Sequence, residues 1–312
     1  MSKIAFVFPG QGSQKAGMGK DFYENSPVSK YIFENASKEL GLNMMDLCFL
    51  ENDILDQTEY TQAALVTTCL AMARCVESKG LHPDVTAGLS LGEYPAIAFA
   101  GGLSDIDAIK TVRQRGIYME NAVPKGVGAM AAVLGMDKDG VNEVVENIED
   151  VYVANFNCPG QIVITGKKEA VEEAGDKLKE AGAKRVLMLN VSGPFHSPLL
   201  IKAKEEMGEF LKSVNLKTLK IPYVTNVTAE YVRDINETKK LLEKQVVSSV
   251  LWQESVENMI ARGVDTFVEI GPGRTLTGFI RKINKGVKTY NISTMEDMDK
   301  VVKELCGDKD GK

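Results

Sequence analysis

The stretch Gly88-Leu89-Ser90-Leu91-Gly92 reads G-x-S-x-G, and the residues on either side of it decide the fold. Before it, Pro83-Asp84-Val85-Thr86-Ala87 is short and partly β-branched, which predicts a buried strand. After it, Glu93-Tyr94-Pro95-Ala96-Ile97-Ala98-Phe99-Ala100 is apolar and Ala-rich, which predicts a helix with Pro95 inside its first turns. A serine between two glycines at a strand-to-helix turn is a nucleophile elbow. The sharp turn strains the serine backbone, the glycines leave room beside it, and the side chain stands clear of the sheet. The helix behind offers unpaired N–H groups and the positive end of its dipole to a developing oxyanion. Gly and Ser also crowd ordinary βα turns, so the pattern draws its weight from its flanks.

The chain has 312 residues, which suits two domains or one large domain with an insertion. With 44% hydrophobic and 26% charged residues, it has the balance of a globular α/β protein. Every apolar run stops well short of the ~18 residues that a membrane span needs. The N-terminus passes straight into a strand-like run without a signal peptide's cleavage site, and the five cysteines show no C-x-x-C spacing. A cytoplasmic protein without disulfides or a metal site is expected. The net charge of −6 sets back the class of non-specific nucleic-acid binders.

Only two histidines are present, His82 and His196. His82 lies in the loop feeding the elbow strand, at the opposite end of that strand from Ser90. His196 is therefore the candidate base for Ser90. The two lie in the order Ser…His seen in α/β-hydrolase-type sites, with the imidazole taking the hydroxyl proton and later returning it. No aspartate stands out as a third member. Asp105, Asp107 and Asp137 lie between the pair, and a main-chain carbonyl is an equal alternative. Arg115 follows on the next helix. A buried arginine there would clamp a carboxylate. By spacing alone, however, Lys110, Arg113 and Arg115 read as a solvated helix face.

Residues 4–8 predict a buried first strand that opens into the Gly- and Gln-rich loop Gly10-Gln11-Gly12-Ser13-Gln14. Helices are predicted over 27–39, over 59–79, and from Ser104 to about Asn121. Residues 127–190 then read strand, helix, strand, strand, helix, strand. This βαββαβ order is ferredoxin-like. The expected architecture is a hydrolase-like α/β core with a parallel sheet, residues 1–126 and 194–312, carrying an inserted ferredoxin-like subdomain, residues 127–193. His196 falls where the chain re-enters the core, at a junction cleft. Beyond it, helices are predicted over 198–213, 234–247, 252–262 and 295–305, with a further one led by the loop Gly271-Pro272-Gly273-Arg274, and strands over 221–225, 265–270 and 287–291. A polar tail is expected over 306–312.

Five segments now stand in order: Phe8-Pro9-Gly10-Gln11-Gly12-Ser13-Gln14, the elbow Gly88 to Glu93, Arg115-Gly116, Gly193-Pro194-Phe195-His196-Ser197, and Glu269-Ile270-Gly271-Pro272-Gly273. Together they resemble the malonyl-CoA:acyl-carrier-protein transacylases of type II fatty-acid synthesis and the acyltransferase domains of polyketide synthases. The resemblance runs from about residue 3 to about residue 290. It implies a ping-pong transfer in which Ser90 takes malonyl from malonyl-CoA and yields it to the phosphopantetheine thiol of holo acyl carrier protein. It implies His196 as base and acid, the backbone N–H groups of Gln11 and Leu91 as oxyanion hole, and Arg115 on the malonyl carboxylate, against the spacing reading. It implies the main-chain carbonyl of Gln245 as the group orienting His196. Phe195 is similar to the malonyl-selective pattern, where a ring crowds an extra methyl. Lys184-Arg185 and Arg281-Lys282 resemble the basic pairs that receive the carrier protein. No bound cofactor, no membrane or nucleic-acid partner, and a monomer are expected. One departure stands out: the family usually has histidine where this chain has Leu89. The alternatives are a polyketide-pathway acyltransferase acting in trans, a serine thioesterase or esterase, and a non-catalytic docking partner for carrier protein.

Overall fold

The computed structural model describes residues 2–191 and 193–307. Ser192, in the stretch read as the exit from the insert, and residues 308–312 of the expected tail lie outside the described residues. The first part of the chain forms β1 (Lys3–Phe8), α1 (Lys20–Asn25), α2 (Pro27–Leu40), α3 (Met44–Phe49), α4 (Thr58–Ser78), β2 (Val85–Gly88), α5 (Glu93–Phe99) and α6 (Asp105–Asn121). The middle forms β3 (Gly128–Leu134), α7 (Lys138–Val145), β4 (Val151–Cys158), β5 (Gln161–Lys167), α8 (Lys168–Glu180) and β6 (Arg185–Met188). The rest forms α9 (Ile201–Ser213), β7 (Tyr223–Val224), β8 (Tyr231–Val232), α10 (Thr238–Gln245), α11 (Trp252–Ala261), β9 (Val264–Ile270), α12 (Thr275–Ile283), β10 (Lys288–Ile292) and α13 (Met295–Cys306).

A six-stranded sheet runs β10-β9-β1-β2-β7-β8, parallel throughout except for β8 at one edge. A parallel sheet is covered on both faces, so its strands read as continuous apolar runs. In β1, alternate side chains serve opposite faces. Phe6 and Phe8 join the core shared with α2, α4, α5 and α6, while Ala5 and Val7 join the core under α11 and α12. α4 is buried around most of its girth. Burying each of its large residues, such as Leu65, Leu70 and Met72, contributes ~1.5–3 kcal/mol.

The second sheet has the order β4-β5-β3-β6 and is antiparallel throughout. α7 and α8 cover one face, packing Val141, Val145, Val171 and Leu178 on Ala131, Val133 and Ile164. Met130, Ala132 and Val163 alternate onto the other face and line a cleft that the loops after β1 and β2 close from below through Gly10, Gln11 and Leu89 to Leu91. The sheet is tied down where β4 meets residue 250: Val250 N donates to Ala154 O and Phe156 N to Val250 O, at 2.8 and 3.0 Å.

Several elements differ from the sequence reading. α1, α3 and β8 were not anticipated, because six-residue helices and a two-residue strand are too short to show a period. The helix predicted over 198–213 begins as a 3₁₀ turn, Pro198–Leu200, before α9. That predicted over 234–247 likewise opens with a 3₁₀ turn at Ile235–Glu237, and α10 stops at Gln245. The strand predicted over 221–225 shrinks to β7, and the expected tail begins later than 306 because Cys306 ends α13.

The elbow sits between β2 and α5. Ser90 has φ of 51°, left-handed for a residue other than glycine. A Cβ on Gly88 would overlap the Gly92 carbonyl, and one on Gly92 would overlap the Phe8 carbonyl. These are backbone atoms that cannot rotate away. Gly92→Ala is therefore expected to cost at least ~1–3 kcal/mol, the usual range for forced overpacking. Chemical denaturation would read it as a lower midpoint at unchanged m; an unchanged midpoint would contradict it.

Candidate active site

The elbow holds Ser90 at the mouth of β2, and residues 194–197 bring His196 over it. Ser90 Oγ lies 2.6 Å from His196 Nε2. His196 Nδ1 lies 3.0 Å from Gln245 O and 3.1 Å from Ser248 O. Both neighbours are carbonyls, which only accept, so Nδ1 carries the hydrogen and Nε2 presents its lone pair to the serine hydroxyl. His196 also has φ of 61°, so both residues are held in left-handed backbone. Burial, and secondarily the Arg115 charge, pushes the His196 pKa down to about 4. The imidazole is neutral at physiological pH, the form that can accept a proton.

None of the three aspartates reaches His196. Asp105 pairs with Arg74 at 2.8 Å, Asp107 sits at the start of α6 with Ser104, and Asp137 caps α7. The second histidine, His82, is exposed in the loop before β2.

Arg115 corrects the spacing reading of α6. It is 1% exposed and turned inward, while Arg113 pairs with Glu59 at 3.0 Å and lies over the Tyr60 ring. Arg115 Nη1 donates to Gln62 Oε1 at 2.9 Å, and Nη2 reaches both Gln245 Oε1 at 3.1 Å and Ser90 Oγ at 3.3 Å. Its partners in hydrogen bonding are neutral, and its Nε makes no hydrogen bond to a described residue. A buried guanidinium beside a nucleophile can hold an anion there.

Other residues of the site carry no motif of their own. Asn226 Oδ1 accepts from Ser90 N at 2.6 Å, and its Nδ2 donates to Gly88 O at 2.7 Å, bracing the strained elbow from the loop after β7. The Gln245 side chain donates to Ser90 O at 3.1 Å and to Glu93 Oε2 at 2.6 Å. Glu93 is fully buried, and that burial lifts its pKa to about 7. The neutral side chains of Asn226 and Gln245 lie 130 to 155 residues away from their partners and leave no pattern in the sequence. Glu93 alone carried a signal, as the residue directly after the elbow.

The cleft above Ser90 has a volume of about 220 Å³. Gln11 and Leu91 line it, Leu91 in the first turn after the serine, where main-chain N–H groups have no partner within the helix. Leu89 also lines it, with its N–H bonded to Phe8 O at 3.0 Å. Phe195 closes one side and Phe279 another. The Glu269 carboxylate receives Leu276 N and Thr277 N at 3.1 and 2.7 Å, which fixes the first turn of α12, and Thr275 and Phe279 reach the cleft from there. Lys184 and Arg185 are exposed at the start of β6, and Arg281 and Lys282 are exposed in the last turn of α12. All five cysteines are free, and among the described residues no helix is long and apolar enough to cross a membrane.

Comparison with known proteins places this geometry among relatives. Residues 5–304 match the family model described as the acyl transferase domain. A malonyl CoA-acyl carrier protein transacylase of Bacillus subtilis is 45% identical over 316 residues, covering 99% of each chain. The crystal structure of a malonyl CoA-acyl carrier protein transacylase from Clostridium perfringens superposes with a TM-score of 0.94 at 40% identity, covering 98% of each chain. A malonyl-transacylase solved in complex with its type II PKS acyl-carrier protein gives a TM-score of 0.95 at 37% identity, covering 97% of this chain and all of that one.

Proposed function

The chain belongs to the acyl transferase domain family, and from that premise we propose that it moves a malonyl group from malonyl-CoA to the phosphopantetheine thiol of holo acyl carrier protein. The observation that carries this reading is the buried Arg115 guanidinium 3.3 Å from Ser90 Oγ. An uncharged acyl group has no use for a cation at that point. A carboxylated one gains a charge-assisted pair in a site shielded from water.

The transfer has two halves. In the first, His196 Nε2 takes the Ser90 proton as Oγ attacks the thioester carbonyl. The main-chain N–H groups of Gln11 and Leu91 receive the oxyanion. The tetrahedral intermediate collapses, the C–S bond breaks, and the imidazolium returns its proton to the CoA thiolate. In the second, the carrier thiol gives its proton to His196 and attacks the malonyl-Ser90 ester. The C–O bond breaks and Ser90 Oγ recovers the proton. Gln245 O and Ser248 O hold the imidazole in one tautomer through both halves, so no carboxylate is needed to orient it.

In this reading residues 127–193 form a small subdomain that roofs the site, and the remainder forms the large one. Phe195 restricts branching at the acyl α-carbon, a selection worth ~1–3 kcal/mol per methyl. Lys184, Arg185, Arg281 and Lys282 offer a local positive surface to an acidic carrier protein, despite the net charge of −6. The enzyme works as a cytoplasmic monomer supplying fatty-acid synthesis, with polyketide synthesis as the second reading because one relative was solved with such a carrier. The test sets transfer against hydrolysis: malonyl-CoA with holo carrier protein gives malonyl-carrier far faster than free malonate. Malonate release at the same rate without carrier would make the chain a thioesterase instead.

A further inference from the structure

Glu93 is the buried acid nearest the reacting groups, and the mechanism above does not use it. Its Oε2 accepts from Gln245 Nε2 at 2.6 Å and from Asn226 N at 3.1 Å, while its Oε1 makes no hydrogen bond to a described residue. The same Gln245 amide turns its oxygen to Arg115 Nη2 at 3.1 Å. One amide therefore joins a carboxylate to the guanidinium read here as the substrate's carboxylate site.

We propose that Glu93 is a specificity-determining positioning residue: linked to Arg115 through Gln245, its negative charge competes with the carboxylate of the incoming acyl group for the field of the guanidinium, and Glu93 takes a proton from solvent when that carboxylate binds. The inference rests on the reading of Arg115 as a carboxylate site. Two anions on one buried cation cannot both be fully compensated, and in a dry site the weaker holder of charge protonates. Glu93 is that holder. Burial already lifts its pKa to about 7, and the Arg115 charge and the hydrogen bonds pull it back only in part. The other titratable groups around it are Tyr94 beside it on α5 and Tyr223 on β7, whose phenols burial keeps neutral. α4 presents the neutral Gln62 to Arg115, β2 has no titratable residue, and Lys3 of β1 is engaged with Arg262 O.

The sign follows. Below about pH 7 Glu93 is protonated and the malonyl carboxylate meets an uncontested Arg115. As pH rises through 7 Glu93 ionises and malonyl binding weakens. Acetyl-CoA, with no carboxylate, does not sense the change, and it carries the same CoA phosphates as an internal control.

The experiment uses Ser90→Ala, which binds acyl-CoA without turnover, and calorimetry from pH 6 to pH 8. The Kd for malonyl-CoA rises at least about fivefold relative to that for acetyl-CoA, the lower end of ordinary coupling between sites. Adding Glu93→Gln, which keeps an acceptor for Gln245 and Asn226 but cannot ionise, flattens the malonyl profile at its low-pH level. Because Glu93→Gln could fail to fold, proton uptake is also read in the Ser90→Ala protein alone, by titrating in two buffers of different ionisation enthalpy at pH 7. Malonyl-CoA takes up a fraction of a proton more than acetyl-CoA. A slope that survives Glu93→Gln, no slope, or equal uptake for both ligands overturns the proposal. The underlying reading fails visibly by another route: if Arg115→Ala weakens malonyl-CoA and acetyl-CoA equally at pH 6, there is no carboxylate site and both fall.

Discussion

His196→Ala slows acylation of Ser90 by ~10²–10⁴-fold, the range typical of losing a positioned general base. The geometry leaves no substitute. His196 Nε2 is the acceptor 2.6 Å from Ser90 Oγ, and the other polar contact of that oxygen among the described residues, Arg115 Nη2, can only donate. With the base gone, a hydroxyl beside a guanidinium can pass its proton only to solvent. Stopped-flow release of CoA in the first turnover reads this directly, and binding of malonyl-CoA is much less affected. The pH dependence has a definite sign. The His196 pKa is pushed down to about 4, so the base stays neutral from pH 8 to pH 5, and the acetylation rate constant at saturating acetyl-CoA holds level across that window. It declines only as pH approaches 4. An inflection near pH 6.5 that is absent in uncatalysed controls would show an imidazole far more solvated than the structure has it.

Arg115→Ala reverses the acyl preference. Truncating one partner of a buried, hydrogen-bonded charge pair costs about 2–5 kcal/mol, or ~30- to several-thousand-fold in kcat/KM for malonyl-CoA. Acetyl-CoA has no carboxylate to lose, so its rate moves far less, and the malonyl-to-acetyl ratio collapses. Gln62, Gln245 and Tyr94 keep their places around the vacated guanidinium, but none of them carries a positive charge. Arg115→Lys recovers only part of the preference, because a point charge on a flexible stem cannot reproduce the planar fork. Equal falls for malonyl-CoA and acetyl-CoA would remove the carboxylate clamp from the account.

The parts of this molecule that could be read in advance are those whose physics is local. β1 announces itself as a continuous apolar run over residues 4–8 because both faces of a parallel strand are buried. The elbow shows because its glycines are demanded by backbone atoms within a few residues and one strand away. The alternation of strands and helices from 127 to 190 is visible because each element is long enough to show its period. Arg115 resisted the same treatment. Its helix carries Lys110, Arg113 and Arg115 within two turns, and only the tertiary partners Gln62 and Gln245, on α4 and α10, decide that Arg115 turns inward. The resemblance to a family pointed to it where spacing pointed away. Asn226 was legible by neither route: a neutral side chain after a two-residue strand braces Ser90 through one amide. Behind His196, the residues alone left three aspartates and a main-chain carbonyl open; the resemblance implied Gln245 O, which lies 3.0 Å from Nδ1, while Ser248 O at 3.1 Å was legible by neither route.

In the proposed reaction Ser90 carries malonyl between two thiols. Intact-mass measurement after mixing the protein with malonyl-CoA, with and without holo carrier protein, tests it most directly. One malonyl adduct per chain is expected, located on Ser90 and absent from Ser90→Ala, that persists until holo carrier protein discharges it and acquires the same mass. A chain that gains no adduct, or an adduct that the carrier thiol does not remove, would contradict it.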